Sequence, residues 1–211
     1  MKRFFTQAVV SRSTAITFNI RGHGDWHAKI WQAFRPVEGD DAPRSWLYSV
    51  EELSTCFKAL ILSDNIPTRP EWCGIDGWAT KEIPDGFLQH PRYSFQLTAN
   101  PTRTLSASRK RMSLAHKTSP IEDVESNLME WIDRKGENGG FRVVHERTSV
   151  TPIGVEVFSN ARRSHRVTIS YVRFQGVLEV IEPDLFTHIF NSGIGRSKSY
   201  GAGMLLLKPI Q

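Results

Sequence analysis

The sequence predicts an α+β protein made of two βαββαβ modules in tandem. Three observations carry this. The second half reads strand, helix, strand, strand, helix, strand. The first half follows the same order with a degenerate second helix. The halves meet near His90-Pro91. This order is that of the ferredoxin-like (RRM-like) split βαβ unit. The expected domains are therefore residues 1–90 and 91–211, and 211 residues suffice for two small domains.

In the first module, Phe4 to Ser11 is apolar and β-prone and makes the opening strand. Gly22 and Gly24 interrupt the chain. Asp25 can then cap a helix over 26–34, where Ile30, Trp31 and Phe34 have helical spacing, and Pro36 is expected to stop it. Ser45 to Val50 and Cys56 to Leu62 read as two strands. Pro67, Pro70 and Gly74 argue against a long helix between Asp64 and Gly77. A short strand is expected within 78–88.

In the second module, Tyr93 to Thr98 alternates like a strand, and the basic segment 101–120 reads as a hairpin or a mobile loop. Ile121 to Lys135 is the clearest helix. Pro120 precedes it, acids fill its first turns, and Val124, Leu128, Met129, Trp131 and Ile132 share one side. Gly136, Gly139 and Gly140 are expected to end it. Phe141 to Val144 is a strand. Strands over 167–174 and 176–181 flank an expected bulge at Gly176. Pro183 to Asn191 is a short helix, and Met204 to Leu207 a final strand.

The net charge is +5, with 39% hydrophobic and 23% charged residues, which reads as a soluble globular chain. No apolar run approaches the ~18 residues of a membrane span. No signal-peptide core follows the basic N-terminus. Cys56 and Cys73 do not make a disulfide scaffold, which fits a reducing cytoplasm. The cations are segregated. Segment 101–120 holds Arg103, Arg109, Lys110, Arg111 and Lys117 with no acid. Segment 160–175 holds Arg162, Arg163, Arg166 and Arg173, again with no acid. Such segregation is the footprint of a polyanion-binding face; the alternative is a set of separately solvated loops.

Between the last helix and the last strand lies Gly193-Ile194-Gly195-Arg196-Ser197-Lys198-Ser199-Tyr200-Gly201-Ala202-Gly203. Glycine reaches positive φ and lets backbone N–H groups approach a ligand. With Arg196 and Lys198, the loop suits an anion, most simply phosphate. It is neither a Walker loop nor a dinucleotide fingerprint, because the lysine spacing and the following strand fit neither. A glycine-rich αβ connection with two solvated cations is the plainer alternative. Elsewhere, Cys56 and Cys73 are isolated and His23/His27 lacks a third ligand, so no metal or other cofactor is expected. No Gly-x-Ser-x-Gly elbow and no RNA-recognition aromatic motif is present.

Taken together, these residues resemble the CRISPR-associated CasE endoribonucleases, the crRNA-processing subunit of the type I-E Cascade complex. His27-Ala28-Lys29-Ile30-Trp31 is similar to that family's His-x-x-Leu-Trp helix. Leu97 to Thr104 resembles its Leu-x-Ala-Asn-Pro-x-Lys-x strand end. Trp131 to Gly136 resembles its Trp-Leu-x-Arg-Lys-Gly helix end. Phe174 to Leu178 is similar to Phe-x-Gly-x-Leu, and 193–207 to its closing glycine-rich pattern.

The resemblance implies two ferredoxin-like domains and metal-independent cleavage of CRISPR repeat RNA at the base of its hairpin. It implies a mature stem-loop that stays bound, with other Cascade subunits as partners, in the cytoplasm and off the membrane. It makes His27 the catalytic residue; Lys198 and Arg196 can stabilise phosphate charge, or else only grip the stem. The RNA is expected on Arg103, Arg109, Lys110, Arg111, Lys117, Arg162, Arg163, Arg166, Gly193, Gly195, Arg196, Lys198, Gly201 and Gly203. Where the family carries a tyrosine three residues before the histidine, this chain has Gly24. His23, four residues before His27, is a candidate substitute or else a surface loop residue. A non-catalytic CRISPR RNA-binding subunit is the alternative that Gly24 motivates.

Overall fold

The computed structural model describes residues 2–38, 44–104, 111–115, 121–159 and 166–210, without the side chains of 35–38, 111, 121–123 and 159. The chain is mixed α+β and clusters into two compact units. One comprises Met1–Asp85 with Lys198–Gly201, the other Gly86–Ser197 with Ala202–Gln211.

The first unit is a four-stranded antiparallel sheet. Its strands are β1 (Phe4–Ser11), β2 (Trp46–Glu52), β3 (Cys56–Ser63) and β4 (Trp78–Glu82), in the order β2-β3-β1-β4. Residues of β1 alternate between faces, so Thr6, Ala8 and Val10 turn inward together. Helix α1 (Arg12–Thr17) is capped by Ser11, whose side chain accepts from the Thr14 N–H. Helix α2 (His23–Glu38) buries Trp26, Ile30, Ala33 and Phe34 at helical spacing. They meet Trp46, Tyr48, Ile61 and Trp72 in one core. Trp72 stands edge-on to Trp26 at 5.6 Å, and its indole N–H donates to the Lys29 carbonyl oxygen at 3.1 Å. Its polar end is thereby satisfied inside the core.

The second unit holds β5 (Arg92–Ala99), the hairpin β6 (Thr102–Thr104) and β7 (Arg111–Ser113), α3 (Ile121–Asn138) and β8 (Phe141–Val143). It continues with β9 (Ser149–Ser159), β10 (Arg166–Val180), α4 (Pro183–Ser192) and β11 (Leu205–Pro209). Its main sheet runs β11-β5-β10-β8, with β9 paired to β10. Leu128, Trp131 and Ile132 of α3 pack on Phe95, Leu97 and Phe174 of the sheet. Glu179 ties three strands together, meeting Arg92 of β5 at 2.6 Å and Arg142 of β8 at 2.7 Å. These two hydrogen-bonded guanidinium groups hold its carboxyl below the usual carboxylate range.

Four local expectations need correcting. Asp25 does not cap α2 from outside. The helix starts at His23 with Gly24 inside it, and the Asp25 carboxylate accepts from the Arg21 N–H at 2.8 Å. Pro36 does not stop α2, which runs to Glu38; a proline so close to the end disturbs few helical hydrogen bonds. Gly136 lies within α3, where a Cβ would stand 2.4 Å from the Phe141 carbonyl oxygen. The β10 irregularity falls between Tyr171 and Val172, not at Gly176. Gly176 instead marks a close approach, since a Cβ there would sit 2.3 Å from the Arg147 carbonyl oxygen.

Candidate active site

His27 sits on the first turns of α2, half-buried. Its ring lies 5.3 Å from that of Trp46 and 6.4 Å from that of Trp31. Nδ1 is buried without a hydrogen-bond partner among the described residues, which leaves Nε2 for proton exchange. Burial, and secondarily the charge of Arg44, push the His27 pKa below its ordinary value. Both causes disfavour the protonated form. His23 is one turn earlier on the same helix, and its carbonyl oxygen lies 3.4 Å from the Tyr48 hydroxyl.

Lys198 opens a 3-10 turn over Lys198–Tyr200. This turn packs on α2 and β2 and belongs to the same unit as His27. Two side chains hold it there. The Tyr48 hydroxyl donates to the Ser199 carbonyl oxygen at 2.9 Å, and Arg44 Nη1 donates to Ser199 Oγ at 3.1 Å. Gly201 has φ +77°, and a Cβ on it would meet the Tyr48 ring at 3.1 Å. The structure thus brings His23, His27, Lys198 and Gly201 into one unit.

The limbs of the glycine loop are fixed within the second unit. Gly193, Gly195 and Gly203 all adopt positive φ, as does Ser197 at +63°. Asn100 Nδ2 donates to Ser197 Oγ at 2.8 Å, and the Gly203 N–H donates to the Thr98 carbonyl oxygen at 2.7 Å. The end of β5 therefore holds both limbs, which explains the Asn-Pro motif at 100–101. Gly195 leans on Trp131, where a Cβ would be 3.2 Å from the ring, and Trp131 stacks on Phe174 at 5.5 Å. Arg196 is exposed on this loop.

Of the other expected RNA contacts, Arg103 is exposed on β6 and Arg166 is exposed at the start of β10. The backbone of Arg111 pairs with Thr104. Arg109, Lys110, Lys117, Arg162 and Arg163 lie outside the described residues. Among the described residues, no three His, Cys, Asp or Glu side chains gather into a metal-binding set, and no helix is long and apolar enough to cross a membrane.

Sequence reasoning missed Arg44, Tyr48 and Ser199. Tyr48 alternates within a buried strand and reads as core. Arg44 stands alone after Pro43. Only the fold brings Ser199 to it, across 155 positions.

The family described as CRISPR associated protein matches over residues 7–209. The CRISPR-associated endoribonuclease Cse3 of Thermus thermophilus is 32% identical over 157 residues, 67% of this chain and 70% of that protein. The CRISPR system Cascade subunit CasE of Escherichia coli is 29% identical over 195 residues, 87% of this chain and 90% of that protein. A solved structure of Cse3 bound to a 19-nucleotide RNA superposes with a TM-score of 0.72 at 22% identity, covering 99% of this chain and 100% of that one. The mixed α+β fold with two antiparallel sheets is therefore that of the Cse3 structures. With a family match spanning almost every residue and a relative at this identity, the chain belongs to the CRISPR-associated Cse3/CasE endoribonuclease family.

Proposed function

We propose that the protein is a metal-independent endoribonuclease that cuts CRISPR repeat RNA at the base of its hairpin. The product stem-loop stays bound and is carried into a Cascade complex. The observation that carries this reading is His27, half-buried on α2, the helix against which the cation-bearing loop tip packs. Family membership supports it, because the Thermus relative is named an endoribonuclease and the Escherichia relative a Cascade subunit.

The chemistry needs a proton taken from the 2′-OH, charge stabilised on the phosphorane, and a proton given to the leaving 5′-oxygen. A neutral Nε2 on His27 is in the state to accept the 2′-OH proton. Attack of the 2′-oxygen on phosphorus then breaks the P–O5′ bond, and the leaving 5′-oxygen takes its proton from water. The products are a 2′,3′-cyclic phosphate and a 5′-OH. Lys198 contributes positive charge to the same unit. His23 lies one turn from His27 and can help orient the phosphate. Arg103, Arg109, Lys110, Arg111, Lys117, Arg162, Arg163 and Arg166 grip the stem through its phosphates, with the glycine loop and Arg196.

In this reading each unit is a ferredoxin-like domain, supported by the strand order. Leaving aside the β6–β7 hairpin and β9, each sheet runs fourth, first, third, second strand of its unit. Residues 1–90 carry the histidine helix, and 91–211 carry the basic segments and the glycine loop.

The test is incubation with repeat RNA in excess EDTA, followed by a denaturing gel and end-group analysis. Cleavage in EDTA with cyclic phosphate ends is the expected result. Intact RNA that is nevertheless tightly bound would establish a non-catalytic RNA-binding subunit, the reading that Gly24 favours. A 5′-phosphate product, or activity restored only by Mg²⁺, would overturn the mechanism.

A further inference from the structure

We propose that Arg44 is a catalytic residue of this site: its guanidinium binds a non-bridging oxygen of the scissile phosphate and carries the charge that develops there. The inference rests on the ribonuclease reading above and adds an electrophile that the sequence motifs do not contain.

The guanidinium is built into place. Nε donates to the Trp46 carbonyl oxygen at 2.7 Å, and Nη1 donates to Ser199 Oγ at 3.1 Å. The group lies 4.8 Å over the Trp46 ring, the same ring that stands 5.3 Å from His27. Trp46 is thus a neighbour of both the imidazole and the guanidinium. An arginine locked by two hydrogen bonds and a stacking face needs little reordering when charge arrives.

Its charge is also uncompensated among the described residues. Arg3 pairs with Asp64, Arg12 with Glu52, and Arg92 and Arg142 with Glu179. No described carboxylate meets Arg44, although it is half-buried. Burial pushes its pKa down from the ordinary arginine value. A half-buried cation without a counter-charge is costly to keep. Nη2 makes no hydrogen bond within the described residues, so the guanidinium still has a face to offer. A phosphate oxygen supplies both the missing charge and the missing acceptor, with the fork geometry that arginine matches. Arg44 exchanges no proton in this step. The 2′-OH proton goes to His27, the P–O5′ bond breaks as the P–O2′ bond forms, water protonates the leaving 5′-oxygen, and Arg44 neutralises a non-bridging oxygen.

The test compares wild type, Arg44→Ala, Arg44→Gln and Arg44→Lys in single-turnover cleavage at saturating protein, with RNA affinity and melting temperature measured in parallel. Arg44→Ala should cut roughly 10²–10³-fold more slowly, the range for removing one charge-stabilising donor. Affinity should stay within about threefold, because the stem is still gripped through many other phosphates. Added methylguanidinium should restore part of the Arg44→Ala rate, and Arg44→Lys should recover less than wild type because an ammonium cannot keep the Trp46 and Ser199 contacts. Should Arg44→Ala fail to fold, Arg44→Gln carries the same expectation for rate and affinity. Cleavage by a folded Arg44→Ala or Arg44→Gln within threefold of wild type would overturn the assignment. So would a slow Arg44→Ala that methylguanidinium does not help. A wild type that never cuts repeat RNA would overturn the ribonuclease reading itself, a different result from an active wild type with an indifferent Arg44.

Discussion

The Tyr48 hydroxyl donates to the carbonyl oxygen of Ser199 at 2.9 Å, joining the middle of β2 to the tip of the glycine loop. Tyr48 itself is 1% exposed, whereas Ser199 is exposed at the loop tip. Tyr48→Phe keeps the ring that Gly201 rests on and removes only the donor. Losing one such hydrogen bond costs about 0.5–1.5 kcal/mol. We expect a lower melting temperature, a several-fold slower cleavage rate as Lys198 loses its fixed position, and RNA affinity within about twofold. Calorimetry and single-turnover kinetics on the same preparation would check this. An unchanged rate would show that the tip does not need the clamp.

His27→Ala should abolish cleavage while hairpin affinity changes little, because one imidazole adds little to a grip made through many phosphates. The histidine also leaves a signature in stability. Its folded pKa lies below the ordinary value of 6.5. As pH falls through 6.5, the unfolded chain takes up a proton that the folded chain resists. Stability is therefore lost over the window from 6.5 down to the lowered folded value. Urea melts of wild type and His27→Ala at pH 5 and pH 7.5 should show a smaller pH effect in the variant. In the active enzyme, the rate should rise with pH and level off below 6.5, as befits a base already neutral at working pH.

Gly203 combines a φ of +91° with a Cβ position only 2.4 Å from the Ile194 carbonyl oxygen. Gly203→Ala should destabilise by about 1–3 kcal/mol, or roughly 2–12 °C in melting temperature for a chain of this size. Gly74 is the control. It has φ −62° and nothing within 4 Å of its Cβ position, so Gly74→Ala should leave the melt nearly unchanged. Equal effects at the two positions would contradict the loop geometry.

The acid-free segment 101–120 is tested through its cations. Changing Arg109, Lys110 and Arg111 together to Ala should weaken stem binding several-fold or more. It should also lower the slope of log K against log salt by roughly 0.7–0.9 for each phosphate no longer neutralised. Fluorescence anisotropy across a series of salt concentrations measures both. An unchanged affinity with an unchanged slope would remove this segment from the binding face.

The sequence revealed most of the elements, because their signals are local. The α2 face is written at Trp26, Ile30 and Phe34, and the α3 face at Leu128, Trp131 and Ile132. Strand β9 was not legible. It carries Pro152 and Gly154, and its aliphatic Ile153, Val155 and Val157 are exposed. Proline and glycine read as breakers, yet a strand at a sheet edge tolerates both. Among the described residues it pairs only with β10, and the register shifts opposite Pro152. His27 and Lys198 were legible as motif positions. Arg44 was not, since what sets it apart is a tryptophan face and a serine far along the chain. No spacing rule encodes such a meeting.

The loop tip has a consequence for any attempt to divide the chain. Lys198–Gly201 clusters with residues 1–85, although more than a hundred residues separate them in sequence. A fragment ending at residue 90 would keep His27 and Arg44 but lose Ser199. The Tyr48 hydroxyl would lose its 2.9 Å acceptor, and its ring would lose the glycine beside it. That aromatic sits on the edge strand β2, so the fragment would lose the turn that packs on this strand and bare the Tyr48 ring to its neighbours. Such a half would self-associate, and adding back a peptide spanning 193–204 should restore its solubility.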